Sequence, residues 1–206
     1  MEKFDVQVLT LGDLVTNCYL VSDPDSGRAV VIDPAAPSAQ LTAACEDREV
    51  ECIVLTHAHA DHIGGVSSVQ KKTQAAVCLH ADDLSLYVDP ADNLSQFTGT
   101  QLDLPPVDRV LAAGDEITVG SQVLRVVHTP GHTPGSIILI GGGAAFTGDT
   151  LFAGSIGRTD LPRGSHPQMV ESLEKVKELD PDIIVYPGHG PRSSIGREME
   201  GNPFLQ

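Results

Sequence analysis

Thr56-His57-Ala58-His59-Ala60-Asp61-His62-Ile63-Gly64-Gly65 places three imidazoles and one carboxylate within positions 57 to 62. The apolar run Cys52-Ile53-Val54-Leu55 before it reads as a buried strand. The glycine pair behind it opens onto helical spacing over 62–73. The cluster therefore sits where a strand ends and a helix begins, which is where open α/β sheets build sites. Neutral imidazole nitrogens and carboxylate oxygens bind zinc-like cations at about 2.0–2.2 Å. A His-x-His pair leaving a strand end turns both rings to one side, while Asp61 and His62 face another way. That spacing points to two adjacent metal sites. A solvated histidine-rich turn would leave so many ligand types at one strand end without a purpose.

Four ligands cannot complete two metal shells, and later strand ends supply the rest. Leu124-Arg125-Val126-Val127-His128-Thr129-Pro130-Gly131-His132 ends in His132, Ala144-Ala145-Phe146-Thr147-Gly148-Asp149 in Asp149, and Ile183-Ile184-Val185-Tyr186-Pro187-Gly188-His189 in His189. A glycine precedes the ligand each time, permitting close backbone approach.

The ordered set His-x-His-x-Asp-His, Gly-His, Gly-Asp and Gly-His resembles the metallo-β-lactamase-fold hydrolases over nearly the whole chain. Thr129-Pro130-Gly131-His132-Thr133-Pro134-Gly135-Ser136 and Thr147-Gly148-Asp149-Thr150-Leu151-Phe152 resemble the glyoxalase II-like branch, and Ser155-Ile156-Gly157-Arg158-Thr159-Asp160 its small single-domain members. The resemblance implies a four-layer αββα sandwich, two mixed sheets with helices outside and metals at one edge, in a single domain over 1–206. It assigns His57, His59 and His132 to one metal, Asp61, His62 and His189 to a second, and Asp149 to both. The expected cofactors are two divalent ions, zinc first, with iron or manganese as alternatives. Lactamases of this fold that use a thiolate ligand carry Cys where Asp149 stands. Flavodiiron relatives carry Glu in place of His59. Glyoxalase II proper adds a C-terminal helical domain that grips glutathione, whereas this chain ends soon after His189, so a reduced grip and a high Michaelis constant are expected.

With 206 residues and 41% hydrophobic side chains, the chain can bury a sizeable core. Aromatics are scarce, so that core must be mainly aliphatic. The net charge of −15 repels phosphate backbones and argues against a nucleic-acid partner. No run reaches the ~18 apolar residues of a membrane span, and the start has no apolar signal core. Cys18, Cys45, Cys52 and Cys78 lack C-x-x-C spacing and read as packed thiols. Cytoplasm is the expected compartment.

In chain order, residues 4–9 alternate with Phe4, Val6 and Val8 inward. Strands follow at 17–21 and 29–33, then a helix over 38–48. Asp33 reads either as a support for the ligands or as a turn residue. A strand at 75–79 and a short helix through Tyr87 precede 88–108, a polar stretch read as a candidate lid or a surface excursion. Paired strands lie around Gly120-Ser121 and Gly141-Gly142-Gly143. A helix over 166–179 buries Met169, Val170, Leu173, Val176 and Leu179, and a last helix spans 193–200. His128 reads as a packed or ligand-supporting residue, and His80 and His166 as helix-start or surface residues. Arg158 and Asp160 form a local ion pair or serve the site. Arg158, Arg163 and Arg192 are the candidate substrate-binding cations.

The expected reaction is hydrolysis of a small-molecule thioester such as S-lactoylglutathione by a hydroxide held between the metals, with Asp61 aiming it. Competing readings are a mononuclear iron persulfide dioxygenase using His57, His132 and Asp149, another small-ester hydrolase such as a lactonase, and a non-catalytic metal binder. The dioxygenase branch carries Gly-Cys-Gly where this chain has Ser155-Ile156-Gly157. No G-x-S-x-G elbow supports a serine hydrolase.

Overall fold

The computed structural model describes residues 4–99 and 101–206. Its first sheet takes β1 (Asp5–Leu11), β2 (Thr16–Ser22), β3 (Arg28–Ile32), β4 (Glu49–Val54), β5 (Ala76–His80) and β6 (Arg109–Leu111) in sequence order. Pairing is antiparallel from β1 to β3 and parallel from β3 to β6. The second half supplies β7 (Glu116–Val119), β8 (Gln122–His128), β9 (Ile137–Gly141) and β10 (Ala144–Gly148), a small separate hairpin of β11 (Leu151–Phe152) and β12 (Ser155–Ile156), then β13 (Ile184–Pro187) and β14 (Ser193–Ser194). Its sheet runs β14-β13-β10-β9-β8-β7, with β10 and β13 parallel.

Alternation along the strands explains the layers. In β2 and β3, Tyr19, Val21, Val30 and Ile32 face the second sheet, where they meet Leu124, Ile137, Leu139 and Phe146. Their neighbours Cys18, Leu20, Ala29 and Val31 point outward. There α1 (Ala39–Ala44) contributes Leu41, and α3 (Val66–Thr73) contributes Val66 and Val69. Over the second sheet, α6 (His166–Lys177) lays down Met169, Leu173 and Val176, and α7 (Ile195–Gly201) lays down Ile195. This is the αββα sandwich expected from the motifs. Tyr19, Phe146 and Tyr186 form an aromatic knot inside an otherwise aliphatic core, with ring centroids 5.1–5.5 Å apart.

Several local expectations change. The helix expected over 62–73 is broken into α2 (Ala60–Ile63) and α3. A Cβ on Gly64 would lie 2.5 Å from Ala35 O, and one on Gly65 2.5 Å from Ala36 O. The 34–36 loop therefore runs against the break, where only glycine fits. Val8, on the edge strand β1, is exposed, while Leu9 on its other face is buried. Val170 faces solvent, not the core.

The 88–108 stretch, of which residue 100 lies outside the described residues, follows α4 (Leu84–Val88) and contains α5 (Ser95–Thr98). Asn93 O accepts from Ala60 N at 2.8 Å, so the stretch touches the ligand loop. Leu102, Leu104 and Val107 pack back onto the outer face of the first sheet. A cavity of about 1150 Å³ lies under the segment, and none of the candidate ligands lines it.

Candidate metal centre

The four segments predicted to carry ligands leave β4, β8, β10 and β13 at one edge of the sandwich, and the sheets are stitched together there. Ile137 N donates to Thr56 O at 2.9 Å, and Thr16 bridges to His189. His57, His59 and His132 bring one ligand atom each into a compact group, and Asp61, His62 and His189 form a second. Asp149 spans them: its Oδ1 lies 3.3 Å from His62 Nε2, and its Oδ2 lies 3.4 Å from His132 Nε2 and 3.6 Å from His189 Nε2. All seven predicted ligands thus come together. A Cβ on Gly188 would fall 2.2 Å from Asp149 Oδ1, which is why glycine precedes His189.

Each ring except that of His59 is oriented from behind. His62 Nδ1 meets Asp33 Oδ2 at 2.9 Å. His132 Nδ1 donates to Arg158 O at 2.8 Å, and His189 Nδ1 donates to Leu14 O at 3.2 Å. Thr56 Oγ1 donates to Asp33 Oδ2 at 2.6 Å and lies 3.1 Å from His57 Nδ1. Fixing one ring nitrogen this way leaves the other as a lone pair facing inward. Asp33, at a backbone φ of 49°, therefore braces the candidate ligands from behind. His59 Nδ1 faces His132 Nε2 at 2.9 Å.

This donor set fits a metal. His57 Nε2, His62 Nε2 and Asp149 Oδ1 are buried in these groups without a hydrogen-bond partner, an arrangement that costs free energy unless a cation accepts their electron pairs. The electrostatics agree. Burial, then the neighbouring His62, His132 and His59, pushes His57 far below its usual range. Burial and His132 hold His59 at about 3. Both are neutral near pH 7, the form that binds metal. At His62 burial pulls the pKa down, but Asp61, Asp149 and Asp33 outweigh it and the pKa rises. His189 is likewise lowered by burial and raised overall by its bond to Asp61 and the charge of Asp149. Burial pushes Asp61 and Asp149 up, yet interactions led by His62 hold both below the usual carboxylate range.

The remaining candidates fall elsewhere. Arg158 makes a two-pronged pair with Asp160 at 2.9 Å, both exposed, so the ion-pair reading holds; its carbonyl, not its guanidinium, serves the site. Arg163 pairs with Asp92 at 2.8 Å, tying the 88–108 stretch to the loop after β12. Arg192 lines a separate hollow with Asp180 and Asp182. His128 stacks on His80 with centroids 4.0 Å apart, and its Nε2 donates to Pro134 O at 2.7 Å. His166 opens α6 at the surface.

Two supports were not visible in the sequence. Asp83, fully buried, accepts from Ala58 N at 3.0 Å, Thr133 Oγ1 at 2.8 Å and Gly135 N at 2.6 Å, tying the His57–His59 loop to the His132 loop. Thr16 Oγ1 donates to Asp61 Oδ2 at 3.0 Å. Neither stands in a local motif; each is brought in by the fold.

Comparison with known proteins agrees with this geometry. Hydroxyacylglutathione hydrolase GloC of Haemophilus influenzae is 33% identical, over 98% of this chain and 98% of its own. Among solved structures, BLEG-1 B3 metallo-beta-lactamase superposes with a TM-score of 0.91 at 38% identity, over 98% of this chain and 100% of that one. TTHA1623 in a di-iron-bound form gives 0.86 at 37%, over 97% and 100%. ETHE1 from Myxococcus xanthus gives 0.79 at 31%, over 97% and 83%. The likeness to BLEG-1 limits the cysteine criterion, which separates this chain only from lactamases that use a thiolate. The family model for the metallo-beta-lactamase superfamily matches residues 11–189. With its folded layers, its converging histidines and this match, the chain belongs to the metallo-beta-lactamase superfamily.

Proposed function

We propose that the protein is a dinuclear metal-dependent hydrolase of small thioesters, of which S-lactoylglutathione is the type. The observation that carries this reading is the pair of ligand groups meeting at Asp149, with orphaned buried nitrogens on both sides. His57, His59 and His132 would hold one ion and Asp61, His62 and His189 the other, with Asp149 placed to serve both. Zinc suits the mixture of imidazole and carboxylate, and iron is the alternative that the di-iron relative supports. Two divalent cations at such a site supply Lewis acidity and make water nucleophilic at neutral pH.

The chain's own residues do the rest. Asp61 keeps its carboxylate ionised and held by Thr16, so it accepts a hydrogen bond from the attacking water and aims it. Asp33 and the Arg158 and Leu14 carbonyls hold the His62, His132 and His189 rings in one tautomer and orientation, so these groups are preset for the reaction. A thioester matches what is offered, because its carbonyl is a good electrophile and thiolate departs without a strong general acid. An amide would need its amine protonated. The likeness to GloC supports the same substrate class. The 88–108 stretch, tied in at Asn93 and Asp92, is the proposed cover over the substrate.

The test is a panel on metal-loaded protein: S-lactoylglutathione, a lactone, a simple oxyester and a penicillin-type β-lactam. The thioester should have the highest kcat/KM by at least about tenfold, or about 1.4 kcal/mol of transition-state discrimination. Faster turnover of the lactam or the oxyester overturns the thioester assignment.

A further inference from the structure

The two solvent-facing ligands of the Asp61–His62–His189 group are both held by the start of one strand. Thr16 Oγ1 donates to Asp61 Oδ2 at 3.0 Å, and Leu14 O accepts from His189 Nδ1 at 3.2 Å. The next residue continues the grip: Asn17 N donates to Gly188 O at 2.8 Å, and its side-chain amide donates to Pro187 O at 3.0 Å and Gly190 O at 2.9 Å. Between Leu14 and Thr16, Val15 has a φ of 58°, a left-handed conformation that is strained for a β-branched residue. With Val15 so placed, the carbonyl before it and the hydroxyl after it reach the same pair of ligands. Thr16 is fully buried although Val15 beside it is 62% exposed.

The other group is supported differently. His57 rests on Thr56 and His132 on the Arg158 carbonyl, and His57, His59 and His132 are only 1–3% exposed. The Asp61 and His189 side chains are 21% and 28% exposed. One group is thus set in the sandwich, whereas the other keeps His62 buried on Asp33 and hangs its two solvent-facing members on the hairpin at 12–16.

We infer that Thr16 is a positioning residue for the Asp61–His62–His189 metal: its hydroxyl presets Asp61, so that occupancy of this position depends on the hairpin while the His57–His59–His132 position fills first. The inference rests on the two-metal reading above. Hydrogen-bonded supports of metal ligands typically contribute about 10–100-fold in affinity, and here the support is confined to one of two neighbouring ions.

Metal-free wild type, Thr16→Val and Thr16→Ser are titrated with Zn²⁺ in competition with a chromophoric chelator, and the thermal midpoint of each metal-free protein is recorded. In Thr16→Val the weaker Zn²⁺ constant should loosen about 10–100-fold and the tighter one should stay as in wild type, with Thr16→Ser restoring both. Unchanged constants in Thr16→Val, equal loosening of both, or a Thr16→Ser protein as impaired as Thr16→Val each overturn the inference. If Thr16→Val does not fold, hydrogen exchange on the wild type decides: the second equivalent of Zn²⁺ should slow exchange at residues 12–17 and the first should not. Slowing by the first equivalent, or by neither, overturns it. A wild type that binds fewer than two ions overturns the two-metal reading as well. A wild type that binds two ions beside an unaffected variant sinks only the role of Thr16.

Discussion

Removing the Asp83 carboxylate should destabilise the fold and loosen the His57–His59–His132 site together. The side chain is fully buried and accepts from two backbone N–H groups, Ala58 and Gly135, and from the Thr133 hydroxyl. In Asp83→Ala both N–H groups are orphaned, at about 1–3 kcal/mol each. The Thr133 hydroxyl costs little, since Ser136 Oγ stands 2.8 Å away. Part of the loss is returned, because burial makes this carboxylate unfavourable and raises its pKa despite the bonds. The net expectation is roughly 2–4 kcal/mol for Asp83→Ala. Asp83→Asn keeps one acceptor oxygen and should lose roughly half as much. Urea unfolding of the metal-free proteins reads this directly. With an m-value of about 2 kcal/mol per molar, the midpoint should fall by about 1–2 M for Asp83→Ala and about 0.5–1 M for Asp83→Asn. An Asp83→Ala midpoint equal to that of the wild type would show that this carboxylate does not hold the two ligand loops together.

With zinc supplied in excess so that elemental analysis finds both positions filled, Asp61→Asn should still lose kcat by about 10²-fold or more; near-normal turnover with both metals present would remove Asp61 from the aiming role. Lowering pH should strip the Asp61–His62–His189 metal first. The raised pKa values of His62 and His189 mean that protons compete with metal there, so affinity climbs by about tenfold per pH unit for each proton displaced. His57 and His59, the latter at about 3, are already neutral, so they add no such dependence above about pH 5. Stoichiometry after dialysis between pH 5 and 8 checks the order, and simultaneous loss of both ions contradicts it. Gly65→Ala should lower stability by roughly 2 kcal/mol or more, because its Cβ would meet the Ala36 and Pro34 carbonyls at 2.5 and 2.7 Å. Gly201→Ala, with nothing within 4 Å, is the matched control for the same thermal melt.

The candidate ligands were legible in the chain because their chemistry is written locally. A histidine-rich turn after one apolar run, and three later apolar runs that end in glycine and a histidine or aspartate, mark strand ends with something to hold, and these four ends do meet. The layers were legible through the resemblance and the periodicity of the strands. What could not be read arises from contacts across the chain. The break at Gly64-Gly65 exists because a loop 30 residues earlier runs against it. Asp83 lies in no motif, and only the fold turns it toward Gly135, 52 residues away. Thr16 likewise meets Asp61 across 45 residues. Exposure of Val8 and Val170 shows the limit of periodicity, which does not fix which positions a neighbouring layer covers.

The most direct measurement places metal-loaded protein with S-lactoylglutathione in one vessel, with thiol release followed by a colorimetric thiol reagent and dissolved oxygen by an electrode. Thiol should appear without oxygen uptake, cease when the metal is chelated, and return when zinc is restored. Absence of metal-dependent thiol release, accompanied by oxygen uptake when glutathione persulfide is supplied instead, would contradict hydrolysis as the reaction of this site.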